Sequence, residues 1–362
     1  MRVLMIAHSD APWTPHYCRA FAAAGDAVRL VSFAPKRIDG VQMDFIGVEP
    51  YDPTANKSLV VTRVPRVRRI IRDFRPDVLL APYVQSNGLT ARLAWRGPLV
   101  LSVRGAEVLE QASRSPLRAA LRRRLMRWIL AGGDIVHVVS REIEQAVLAL
   151  GVSAERVHCF PSGILTQRFA PPPDLPRPVA RRIICTRKHD PIYDNGVILE
   201  ALAALRRAGR DVACEFVGDG LLTTELRAQA SRLGLDDAAH FAGALPHDEL
   251  PQRLGAADIY VSAARSDGTS SALLEALAVG LTPVVTRIPA NLPWIEDGQT
   301  GLLFTPGRAD ELATALARAL DDVELRRRAF AGNRARVAHE GDFDHNIQRL
   351  HDLLARAIRE HT

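Results

Sequence analysis

Short apolar runs rich in Val, Ile and Leu recur along the chain between longer stretches of helical period. That is the pattern of strands buried on both faces by crossover helices. Strands are predicted at Val3–Ile6, Ala27–Val31, Val78–Leu80, Leu99–Val103, Ile135–Val138 and Val157–Phe160. After residue 180 the pattern restarts, with strands predicted at Arg182–Cys185, Ala213–Val217, Ala239–Phe241, Ile259–Val261 and Thr282–Val285. Helices fit between them; one is predicted over Pro15–Ala24, stopped by Gly25.

The restart implies two α/β units in tandem. Between them the stretch 170–178 holds five prolines, which exclude helix interior and central strand, so residues 169–179 read as a stiff linker. The expected division is a Rossmann-like domain over 1–168, a second over 180–343, and a terminal helix over 344–362. That helix carries Ile347, Leu350, Leu353, Leu354, Ala357 and Ile358 on one face, and it is expected to cross back onto the N-terminal domain. Two such sheets facing a cleft would place function in the loops that follow strands, because open α/β sheets bind ligands at their carboxyl ends.

Composition narrows the picture. The chain has 362 residues and a net charge of +6, unevenly spread: residues 1–170 carry 24 basic and 14 acidic side chains, and the rest is net acidic. Cys18, Cys159, Cys185 and Cys214 are scattered with no paired spacing, which excludes a disulfide scaffold and fits a reducing cytoplasm. No apolar run reaches the ~18–20 residues of a membrane span, and the N-terminus does not read as a secretory leader. The expected location is cytoplasmic, with any membrane contact peripheral.

Candidate chemistry concentrates at 262–280, where a strand ends, small and polar residues turn, and an apolar helix begins. Gly268, Thr269, Ser270 and Ser271 would offer backbone N–H groups at a helix N-terminus, a favourable place for phosphate. Asp267 precedes them and Glu275 follows on the helix, and carboxylates suit vicinal hydroxyls. An N-cap carboxylate and a solvated helical Glu would explain the same residues without a ligand.

The stretch resembles the signature of family 4 glycosyltransferases of GT-B fold, in which two acidic residues separated by seven others precede Ala, a small residue and Gly. Here Asp267 stands for the usual first Glu, followed by Glu275, Ala276 and Gly280. The resemblance extends to Pro161–Phe169, Val217–Gly220, Phe241–His247, Ala256–Tyr260 and Glu296–Leu303. It implies a retaining, metal-independent transfer of a sugar from a nucleotide-diphosphate sugar, with no cofactor beyond that donor. It also implies that Glu275 binds ribose, Asp267 contacts the donor sugar, and Gly268–Ser271 hold the diphosphate. Gly218, Gly243 and Leu245 would line the donor site. A UDP-sugar is the default donor for such a family.

The loop after Cys185 matches the family's diphosphate-binding Arg at Arg187, but the partner Lys falls at Tyr193. Lys188 could replace that cation; Lys188 and His189 in a solvated loop are the bland alternative. On the acceptor side, the family's His-Gly with a following acid becomes Arg104, Gly105 and Glu107. An Arg is a poor base near neutral pH, so Arg104 is assigned positioning or phosphate contact. His16, at the start of a helix, is a further acceptor candidate or a surface cap. Because Tyr193 and Arg104 depart from the family, a non-catalytic nucleotide-sugar-binding scaffold is the alternative function.

Two basic clusters complete the reading. Arg114, Arg118, Arg122, Arg123, Arg124 and Arg127 share one predicted helix whose apolar face is expected to be Leu117, Leu121, Leu125, Trp128 and Ile129. Arg63, Arg66, Arg68, Arg69, Arg72 and Arg75 form the second. They suit an anionic membrane surface, or a solvated helix packed on the sheet. Nucleic acid is not expected, since no recognition motif or interleaved aromatics accompany the charge. The acceptor is read as a glycan, a lipid-linked glycan or a small molecule.

Overall fold

The computed structural model describes residues 1–11, 13–48, 60–104, 108 and 116–361. Two compact units are formed, one by Met1–Ser162 with Asp344–Thr362 and one by Gly163–Phe343.

The first unit contains strands β1 (Arg2–Ile6), β2 (Ala27–Ser32), β3 (Gln42–Phe45), β4 (Val78–Pro82), β5 (Leu99–Val103), β6 (Ile135–Val138) and β7 (Val157–Cys159). They form one parallel sheet in the order β3-β2-β1-β4-β5-β6-β7. Its helices are α1 (Thr14–Ala23), α2 (Val60–Phe74), α3 (Leu89–Ala94), α4 (Pro116–Ala131) and α5 (Arg141–Ala149). Pro15 opens α1, and Gly25, at φ +86°, lies just beyond its end in the left-handed region where a Cβ is unfavourable. The central strands are Val, Ile and Leu because both faces are covered. Leu4, Ile6, Leu79 and Leu101 pack with Val67 and Ile70 of α2 and Met126, Ile129 and Leu130 of α4.

The second unit contains β8 (Arg182–Cys185), β9 (Ala213–Val217), β10 (Ala239–Gly243), β11 (Ile259–Ser262), β12 (Thr282–Thr286) and β13 (Leu302–Phe304). They too are parallel, in the order β10-β9-β8-β11-β12-β13. Helices α6 (Asn195–Arg207), α7 (Thr223–Arg232), α8 (Leu250–Gly255), α9 (Ser271–Val279), α10 (Ala309–Asp321) and α11 (Val323–Glu340) accompany them. The final helix α12 (Phe343–Glu360) buries Ile347, Leu350, Leu353, Leu354 and Ala357. Its His351 donates to Asp26, which also holds the N-terminal amine, so this helix is fastened to the first unit.

Two expectations are corrected. The proline-rich stretch is not a linker between bodies: the division falls at Ser162/Gly163, and the stretch packs on the second unit. Phe169 is buried among Leu254, Tyr260 and Leu274, Arg177 pairs with Asp258 at 3.0 Å, and the buried Arg326 donates to the carbonyl of Pro178. Prolines stiffen a segment but do not detach it where flanking side chains have core to fill. The second correction concerns α4. Leu117, Leu121, Leu125 and Trp128 face solvent, and the helix meets the sheet through Met126, Ile129 and Leu130.

Candidate donor and acceptor sites

In a doubly wound sheet the order reverses at one point, and the loops leaving the two strands there diverge to opposite faces and open a crevice. In the second unit that point lies between β8 and β11, which are paired through Ile183 and Ile184. The loop leaving β8 carries Arg187 and the loop leaving β11 carries Asp267 to Ser270, so the topology brings together residues 80 positions apart.

Arg187 is 7% exposed. Its Nη2 donates to Asp267 at 2.6 Å, its Nη1 donates to the Ser270 hydroxyl, and its guanidinium lies 4.2 Å from the Tyr193 ring centre. Burial disfavours its charge, but Tyr260, Asp267 and Tyr193 outweigh that and hold its pKa above the ordinary arginine value. Tyr193 therefore fills the place of the family lysine as a face on which Arg187 rests. Lys188 is exposed, with its carbonyl accepting from Asn195 Nδ2, and among the described contacts Arg187 meets Tyr193 instead.

Ser270 is the N-cap of α9: its hydroxyl accepts from the Leu273 amide at 3.2 Å. Asp267 accepts from the amide of Gly268 at 2.8 Å. The first turn of α9 thus begins directly beside the Arg187 guanidinium, and a cation and a helix N-terminus converge on one side of the crevice. Glu275, just over one turn into α9 and 6% exposed, accepts from His247 Nε2 at 2.9 Å. That bond is the largest cause of a raised His247 pKa.

The turn after β9 closes the floor. Gly218 has φ +154°, its amide donates to the carbonyl of Gly243, and a Cβ there would come within 2.5 Å of the Arg187 carbonyl. Only glycine lets the two loops approach so closely. Leu245 is half-buried in the loop after β10, beside His247. His189, expected in a solvated loop, is instead buried and bonded to the Thr223 hydroxyl at 2.9 Å, with burial pushing its pKa down.

In the first unit the reversal lies between β1 and β4. The Arg104 guanidinium at the end of β5 sits 3.9 Å from the Trp13 ring centre, and donates to Tyr17 at 2.8 Å and to Ser162 at 2.7 Å. Trp13 also approaches Tyr83, at the end of β4 with φ +60°, at 5.8 Å between ring centres. His16 lies half-buried in the first turn of α1, between Trp13 and Tyr17. Gly105 and Glu107 lie outside the described residues. Sequence reasoning missed Trp13, Tyr17, Tyr83 and His247. The four-residue spacing of Trp13 and Tyr17, one helical turn, was the available signal.

Beneath this cluster His137 is fully buried. Its Nε2 donates to the Phe160 carbonyl and its Nδ1 accepts from the Ser102 hydroxyl, both at 2.9 Å. Burial, reinforced by Arg104, pushes its pKa down to about 3, so the ring is neutral.

The profile described as Glycosyl transferases group 1 matches residues 195–336, and that described as Glycosyl transferase 4-like domain matches 11–163. A GDP-mannose-dependent alpha-(1-6)-phosphatidylinositol monomannoside mannosyltransferase of Mycolicibacterium smegmatis is 30% identical over 84% of this chain and 85% of its own. The chain is a family 4 glycosyltransferase. Its fold is GT-B: a sucrose-phosphate synthase from Thermosynechococcus elongatus superposes with a TM-score of 0.84 over 98% of both chains, at 18% identity. Anabaena HepE, solved with UDP and glucose, gives 0.78 over 98% of this chain and 99% of its own, at 19% identity. The activity class is glycosyl transfer of the hexosyltransferase type.

Proposed function

We propose that this glycosyltransferase moves a hexose, with retention of anomeric configuration and without a metal, from a nucleoside-diphosphate sugar held by its second unit. Arg187 carries the reading: a buried guanidinium, fixed on three sides, beside the N-terminus of α9. Charge that develops on the departing diphosphate would meet a cation already oriented, so little reorganisation is needed as the sugar–phosphate bond breaks. The amides of Gly268 to Ser271 would share that charge, and Asp267 would touch the sugar while holding Arg187. Glu275 would accept from the ribose hydroxyls, with His247 turning aside or bridging. Retention without a protein nucleophile fits the absence of a base at Arg104, whose guanidinium would position the acceptor.

The mannosyltransferase relative favours GDP-mannose over the UDP-sugar expected from sequence, and a lipid-linked acceptor among the classes expected. A thermal-shift panel of GDP, UDP, ADP and TDP sugars tests the donor. GDP-mannose is expected to raise the melting temperature most, and no stabilisation by any of them at millimolar concentration would sink the proposal. Transfer is expected to persist in EDTA and to give product of the donor's anomeric configuration by NMR. Nucleotide-sugar binding without transfer to any acceptor would establish the scaffold alternative.

A further inference from the structure

Helix α4 has two apolar stripes, and only one of them is used by the core. Met126, Ile129 and Leu130 pack under the sheet with Val67, Ile70 and Leu101. Leu117, Leu121, Leu125 and Trp128 are 80%, 68%, 40% and 41% exposed. At 100° per residue these four fall within about 80° of arc, on the side away from the buried stripe, and run about 17 Å along the helix. The helix carries Arg118, Arg122, Arg123, Arg124 and Arg127 and no acidic residue.

The basic surface continues beyond α4. Helix α2 buries Val67, Ile70 and Ile71 in the same core cluster, so both helices lie on one face of the sheet. Helix α3 joins them: Arg68 of α2 donates to the Leu93 carbonyl, and Arg92 lies 5.1 Å from the Trp128 ring. Arg66, Arg68, Arg69 and Arg72 of α2 are exposed. No helix among the described residues is long and apolar enough to cross a membrane.

We propose that the Leu117–Leu121–Leu125–Trp128 ridge inserts into the interfacial layer of an anionic lipid bilayer, with the arginines of α4 and α2 against the headgroup phosphates. Exposed leucines without flanking charge would fit many partners. Here the charge selects the occupant, because a second copy of this face would oppose arginine to arginine, whereas an anionic headgroup layer complements it. The ridge supplies depth and the guanidinium groups supply lipid selectivity. Attachment at a surface would hold the first unit where a lipid-linked acceptor resides; in that respect the inference deepens the proposed acceptor class. Vesicle binding needs no sugar donor, so its failure and the failure of the transfer proposal are distinguishable.

The test is sedimentation of the full chain with phosphatidylcholine vesicles, with and without phosphatidylglycerol, while Trp128 emission is followed against a Trp128→Phe control. Binding is expected only to the anionic vesicles, with a blue shift that the control lacks. Leu117→Ser with Leu121→Ser, and separately Arg123→Glu with Arg127→Glu, are each expected to weaken binding about tenfold or more while the melting temperature stays unchanged, since all four side chains are exposed. No binding by the native chain, equal binding to neutral vesicles, native binding by the leucine variant, or a dimer in light scattering that the leucine variant abolishes would each overturn the proposal.

Discussion

The two units place an arginine just after a strand and rest each on an aromatic face, Arg187 on Tyr193 and Arg104 on Trp13. Their other partners differ. Arg187 is gripped by the Asp267 carboxylate and by the hydroxyl of the serine that caps the N-terminus of α9. Arg104 is held by the hydroxyls of Tyr17 and Ser162, amid ring faces suited to a sugar or another apolar-faced ligand. On the proposed function, the first arginine would take charge from a leaving group and the second would hold and orient. The same sheet plan would thus support two tasks, because such tasks reside in loops and not in strands.

The contrast can be broken in four ways. Arg187→Ala is expected to lower kcat/KM about 10²–10³-fold, the scale for losing one preorganised donor to developing charge, and Arg187→Lys to restore only part of it because the planar fork is lost. A loss under tenfold in steady-state kinetics would place the charge elsewhere. Glu275→Ala is expected to weaken donor binding about tenfold or more, the scale of hydrogen bonds to a charged group, with a smaller change in kcat; calorimetric titration with the nucleotide reads it.

The third concerns stability of the first unit. His137 is neutral in the fold, with its pKa well below the unfolded value near 6.5, so the unfolded chain binds the proton more readily. Its contribution is fully present above that value. It is lost as pH falls toward about 3, at up to about 1.4 kcal/mol per pH unit, and denaturant titrations at stepped pH should show that slope. A flat profile between pH 6 and 4 would contradict it. The smallest effect is expected from Trp13→Leu, which removes one face from Arg104 and should raise acceptor KM about threefold to tenfold while leaving donor affinity unchanged. A change in donor affinity would merge the two sites.

Much of the fold was legible because parallel strands buried on both faces leave continuous Val/Ile/Leu runs. β3 was missed: Gln42 to Phe45 form a half-exposed edge strand, where one polar residue in two erases the signal. β13 was missed because three residues are too few to show a period. Among site residues, Asp267, Ser270 and Glu275 were visible since one strand–turn–helix carries them in order. His247 was not, because its bond to Glu275 joins a turn to a helix 28 positions away.

The sequence by itself determined the fold class, the donor signature and an arginine after a strand in each unit, all of which are local patterns in strands, turns and helix starts. Only the tertiary structure decided that Tyr193 is a platform for Arg187, that the proline-rich segment belongs to the second unit, and which stripe of α4 faces the sheet. Periodicity records that a helix has apolar residues on a side. When a helix carries two such stripes, the choice between core and solvent is made by the shape of the sheet it meets.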